Sequence, residues 1–163
     1  MPDQEKNGTR ISPVMRIPVP WVFILAYLVG FVAQLYLPIP IRSPEIVRIA
    51  LIAGLIIVVI GVAAAFSALG IFRKRSTTTI PFETPTSLVR SGPYRFTRNP
   101  MYVELTLVYL GVAGTRAEIW PVIVLPVILA YLNFIVIPVE ERHLEDAFGD
   151  AYANYGARVR RWL

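Results

Sequence analysis

Apolar residues along this chain come in blocks, not at intervals. Residues 21–37 hold Gln34 as their one strongly polar side chain, and residues 49–72 hold none, Ser67 coming nearest. At about 1.5 Å of rise per helical residue, the second block is longer than the roughly 30 Å of bilayer hydrocarbon. A continuously apolar helix of that length could otherwise lie only inside a large soluble protein, and 163 residues do not supply one. Two further blocks, 101–114 and 119–137, are separated by Thr115, Arg116, Ala117 and Glu118 and predict a helical hairpin. The first of these is short for a crossing and carries Glu104 near its start, which fits a helix that begins below the headgroup level, tilts little or relies on locally thinned bilayer. In the second, Pro121 falls in the tolerated first turn, whereas Pro126 lies inside and predicts a bend.

The pattern therefore predicts an all-α, polytopic membrane protein built as a single domain over residues 1–163. It has about four transmembrane helices, at about 19–37, 47–72, 100–115 and 119–137. A polar loop follows the second, and a C-terminal segment, 138–163, begins as an amphipathic helix. Residues 1–16 are polar and expected to be flexible.

Composition agrees, with 55% hydrophobic residues and a mean hydropathy of +0.57. Charge adds an orientation. Residues 73–99 hold Arg73, Lys74, Arg75, Arg90, Arg95 and Arg98 against one acid, Glu83. The opposite connections hold Arg42 and Arg48 with Glu45, and Arg116 with Glu118. By the positive-inside rule the 73–99 loop is cytoplasmic, and with four crossings both termini are too. The expectation is a multi-pass protein of the cytoplasmic (inner or plasma) membrane, with the bilayer itself as its first partner. The net charge of +5 is then mainly a topology signal, and nucleic-acid binding is a poor reading because the basic residues flank spans. The first block is too long for a cleavable signal, and no small-residue cleavage site follows it. The absence of cysteine excludes disulfides, thiolate nucleophiles and cysteine metal sites; no metal is expected, and the oligomeric state is left open.

Two polar stretches remain on the loop side. Residues 76–90 read as an extended, turn-rich loop. Gly92-Pro93 is a turn dipeptide, with glycine free to take positive φ. Asn99-Pro100 reads as a helix start, asparagine at the N-cap and proline at the first helical position. Helix N-termini suit carboxylates, and Tyr94, Phe96 and Tyr102 offer stacking faces. Aromatic and basic residues beside a span also form ordinary interfacial belts. In the second stretch, Glu140, Leu144 and Phe148 recur every four residues, so one helical face points inward. Glu140 and Glu141 either favour a helix start or pair with Arg95 or Arg98. His143 has no triad or ligand partner and is left out of catalysis. Arg158, Arg160, Arg161 and Trp162 are expected at anionic headgroups.

The run Gly92-Pro93-Tyr94-Arg95-Phe96-Thr97-Arg98-Asn99-Pro100-Met101-Tyr102 resembles the hallmark of the isoprenylcysteine carboxyl methyltransferase and phospholipid methyltransferase superfamily. A second hallmark is similar to Glu140-Glu141 followed by Phe148-Gly149-Asp150-Ala151-Tyr152-Ala153-Asn154-Tyr155. Both come in the family order, separated by the helical hairpin, and the resemblance covers about residues 45–163. It implies an integral membrane methyltransferase using S-adenosyl-L-methionine. It implies cofactor contacts from Gly92, Pro93, Tyr94, Arg95, Asn99, Pro100, Tyr102, Glu140 and Glu141, and catalytic roles for Glu140, Glu141 and Arg98. The implied substrate is a membrane lipid or lipidated, isoprenylcysteine-like small molecule entering from the bilayer. Two positions depart from the pattern: Asn99 stands where the isoprenylcysteine enzymes usually carry histidine, and Glu104 where the lipid enzymes tend to have glycine. Carboxylate O-methylation and amine N-methylation stay open. So do two other readings, an NADPH-dependent membrane reductase of related helical architecture and a non-enzymatic membrane adaptor.

Overall fold

The computed structural model describes residues 18–75 and 88–163. The expected flexible N-terminus, 1–16, and most of the turn-rich loop, 76–87, lie outside the described residues. The described chain is helical, with no strand. α1 (Val19–Tyr36) and α2 (Pro44–Arg75) precede a 3-10 turn at Gly92–Arg95. α3 (Pro100–Thr115) and α4 (Ile119–Tyr131) follow; a wide π turn (Leu132–Val136) leads into α5 (Ile137–Phe148) and then α6 (Asp150–Gly156).

Three helical stretches are long and apolar enough to cross a membrane: Val19–Tyr36, Pro44–Ser67 and Ile119–Phe148. The third helix, α3, has 16 residues and reaches about 24 Å, less than the hydrocarbon thickness. The four expected crossings thus resolve into three full-length helices and one short one. The outward faces of α1 and α2 carry Leu25, Val29, Val32, Ile49, Leu55 and Val59, all exposed, as lipid contact requires.

Small residues set how closely the helices approach. A Cβ built on Gly54 would fall 2.5 Å from the Thr115 nitrogen, and one on Gly111 would meet the Gly54 carbonyl at 2.8 Å. A Cβ on Gly61 would touch Val108 Cγ2 at 3.0 Å, so α2 and α3 run antiparallel in close backbone contact. α1 meets α4 in the same way, Gly30 lying against Pro121. Phe23, Tyr109, Leu125, Ile128 and Leu132 fill the centre. At the end of the bundle opposite the 92–102 segment, Glu118 is buried but satisfied: Tyr27 Oη donates to it at 2.6 Å and Arg116 Nε at 2.7 Å. Trp120 Nε1 donates to the Leu37 carbonyl at 2.6 Å and closes that end.

The α-helix is unbroken at Pro126, and a change of helix type follows at Leu132–Val136. An α-helix advances about 40° for each step of four residues, so a stripe spaced by fours drifts off its face. The wide turn absorbs that drift: Leu132 and Val136 are buried, and Glu140, one step further, faces Tyr102. The helix therefore carries its inward face past the apolar span, which ends at Ile137, to the polar residues beyond.

Candidate functional site

The two polar stretches meet at one end of the bundle. Gly92 adopts φ +62°, as expected of the turn, and Pro93 accepts the Phe96 and Thr97 N–H groups to close the 3-10 turn. This turn lies against the end of α2 and presents Tyr94, whose carbonyl accepts a 2.8 Å bond from Tyr155 Oη. Burial raises the Tyr94 hydroxyl pKa, and the charges of Glu104, Tyr155 and Glu140 raise it further. Arg95 and Phe96 point outward and are exposed.

Pro100 starts α3 as expected, with the Tyr102 and Val103 N–H groups donating to the Asn99 carbonyl. The Asn99 side chain does not cap the helix. It donates instead to the Arg161 carbonyl at 3.0 Å, which also accepts from Thr97 Oγ1 at 2.8 Å. With the Arg98 N–H bonded to the Arg160 carbonyl at 2.8 Å, the segment 97–99 holds the C-terminal tail like a short ladder. Trp162 completes the attachment through Nε1 to Asn133 Oδ1, in the π turn, at 3.1 Å. Arg161 and Trp162 therefore turn inward, whereas they were expected at headgroups.

Each hallmark supplies partners to the other. Tyr102 Oη donates to Glu140 Oε1 at 2.6 Å, and Arg98 Nη1 pairs with Glu141 Oε1 at 2.8 Å. Burial pushes the Glu140 carboxyl pKa up, with the Tyr102 hydrogen bond opposing it. Glu141 is more fully engaged. Arg161 Nε reaches both of its oxygens, at 3.0 and 3.1 Å, and Arg161 Nη2 reaches Oε2 at 2.5 Å. The bond to Glu141 in turn raises the Arg161 pKa. Burial raises the Tyr152 hydroxyl pKa and nearby Arg98 opposes the rise, while Arg98 Nη1 would lie 3.2 Å from any Cβ at Gly156. The Arg98 Nε, though buried, has no partner among the described residues.

Sequence reasoning thus placed Gly92, Pro93, Tyr94, Arg98, Asn99, Pro100, Tyr102, Glu140 and Glu141 at one locus, with Arg95 at its exposed edge. It missed Thr97, Arg161 and Asn133. Nothing local separates Arg161 from Arg158 or Arg160, so no signal in the chain could have singled it out. His143 is exposed, with Nδ1 2.7 Å from the Val139 carbonyl; burial raises the Glu140 pKa, and the His143 charge works against that rise.

The arrangement offers a half-buried carboxylate fixed by a phenol, a guanidinium with an unused N–H, and aromatic faces. That donor set suits a zwitterionic ligand carrying a flat ring. Among the described residues no group of His, Asp or Glu could hold a metal ion. Residues 49–151, which include the first polar stretch and the second as far as Ala151, match the family model described as phospholipid methyltransferase. No curated protein and no solved structure matches.

Proposed function

Since the chain belongs to the phospholipid methyltransferase family and so is a membrane methyltransferase, we propose that it uses S-adenosyl-L-methionine to methylate a lipid-like or isoprenylcysteine-like amphiphile. The observation that carries this reading is the junction of the two stretches: Tyr102 on Glu140 and Arg98 on Glu141. When bound, the cofactor supplies an electrophilic methyl group on a positively charged sulfur. The residues present fit it. Glu140 suits its amino group, and the unused Arg98 N–H suits its carboxylate. Tyr94 and Tyr102 can flank its ring. Of the acidic pair, Glu140 makes the contact, while Glu141 acts through Arg98, because Arg161 and Arg98 already occupy its oxygens.

The protein's share of a methyl transfer is to hold the reacting atoms about 3–3.5 Å apart and keep water out. Tyr102 and Glu140 are rigid because each fixes the other. A carboxylate acceptor needs no base; an amine acceptor must lose a proton, which Glu140 can receive. The acceptor's tail stays in the bilayer and approaches between helices, on the cytoplasmic side if the basic loop faces inward. The test is incubation of the full-length protein in vesicles with methyl-labelled S-adenosylmethionine and a total lipid extract. Label is expected in an organic-soluble product. Extract that stays unlabelled after prolonged incubation overturns the proposal.

A further inference from the structure

Arg161 lies in the C-terminal tail, outside both motifs, yet it touches the site twice. Its carbonyl accepts from Thr97 Oγ1 and Asn99 Nδ2, and its side chain pairs with Glu141. These two contacts are separable. The Arg98 N–H on the Arg160 carbonyl and Trp162 Nε1 on Asn133 also hold the tail, so replacing the Arg161 side chain loosens it without releasing it. The guanidinium has its own task. It meets Glu141 side-on, Nε reaching both carboxylate oxygens and Nη2 reaching Oε2. Arg98 is left with a single end-on contact, Nη1 to Oε1 at 2.8 Å. Guanidinium and carboxylate favour a two-bond fork, and at Glu141 that fork is already taken. The Arg98 Nε stays buried with no partner among the described residues.

We infer that Arg161 is a positioning residue: by occupying Glu141 it keeps Arg98 from closing a two-bond pair, and so holds the Arg98 Nε–H free for the anionic end of the cofactor. The inference rests on the methyltransferase reading and deepens it by extending the site from the two motifs to the tail. Without the Arg161 guanidinium, Glu141 has an open oxygen beside Arg98. Arg98 then turns side-on, satisfies its own buried Nε and withdraws the donor. The loss is confined to the amino-acid end of the ligand, because Tyr102 and Glu140 keep their own bond.

Binding without turnover tests this. Full-length protein in detergent is titrated with S-adenosylhomocysteine and with methylthioadenosine, which keeps the nucleoside and the thioether but lacks the amino-acid end. The wild-type protein should bind S-adenosylhomocysteine at least about tenfold tighter, as one charge-assisted contact allows. Arg161→Gln should weaken S-adenosylhomocysteine about tenfold and leave methylthioadenosine unchanged. Arg161→Lys, which keeps the charge without the fork, should fall between. Arg98→Gln should cost as much as Arg161→Gln, and the double variant no more than either, since each removes the same contact. A merely structural Arg161 would weaken both ligands alike, and that result overturns the inference. So does a preference that either Arg161 variant retains in full, or losses that add in the double variant. Should Arg161→Gln not fold, Arg161→Lys decides by the same comparison. Equal binding of the two ligands by the wild-type protein defeats the Arg161 assignment alone; binding of neither defeats the methyltransferase reading as well.

Discussion

Glu140 and Glu141 are neighbours in sequence but meet different partners, because successive helical side chains point about 100° apart. Glu140 takes a phenol and Glu141 takes two guanidinium groups. Tyr102→Phe removes the donor to Glu140 and leaves a carboxylate less satisfied; the cost is about 1–3 kcal/mol, and S-adenosylhomocysteine affinity should fall about tenfold by titration. Glu141→Gln leaves Arg98 and Arg161 without their shared anion. A fully buried pair would lose 3–5 kcal/mol, but Arg161 is partly exposed, so about 2 kcal/mol is expected. That variant should also show faster amide exchange across residues 97–99, since the tail they bind is held partly by Arg161. Wild-type exchange there would contradict the latch. At this scale the chain was half legible. The turn at Gly92 and the helix start at Pro100 follow from backbone rules that act locally. The Asn99 side chain and Arg161 were not legible: Asn99 bonds a carbonyl 62 residues away, a tertiary acceptor that displaced the expected cap, and Arg161 reaches Glu141, 20 residues back across the turn of the tail.

Among the helices, the α2–α3 contact is the most exacting. Gly54→Val drives a branched side chain into backbone atoms 2.5–2.8 Å from its Cβ, and the two helices must separate. Loss of folded protein in a detergent size-exclusion profile is expected, while Gly70→Ala, where nothing lies within 4 Å, should elute as wild type. Folded Gly54→Val would show that the contact is not tight. Blocks of apolar residues read the helices well, since lipid demands internally satisfied backbone over a fixed length. They could not place the π turn at Leu132–Val136, which serves the phase of a buried stripe and has no local residue signal. Nor could they show that α3 is short because it packs inside, with Tyr102, Tyr109 and Ala113 buried against its neighbours.

The whole molecule gathers one polar network at each end of the bundle. Glu118, Arg116, Tyr27 and Trp120 seal the far end through bonds that are all internal. The other end carries the candidate site, and the basic residues beside it predict a cytoplasmic face. With no native cysteine, single cysteines report this directly. Arg158→Cys should resist a membrane-impermeant thiol reagent in intact cells, while Pro40→Cys, in the α1–α2 connection, should react; the reverse pattern would invert the topology. Two motifs in the right order gave the family resemblance and put both stretches on one side of the membrane; which acid meets Tyr102 and which meets Arg98 was visible only once the hairpin between them was folded. The central claim is that this convergence makes an S-adenosylmethionine site. Thermal unfolding of the detergent-purified protein with S-adenosylhomocysteine or NADPH tests it most directly. Stabilisation by S-adenosylhomocysteine alone, weakened in Glu140→Gln, is the predicted result; stabilisation by NADPH alone, or by neither, would contradict it.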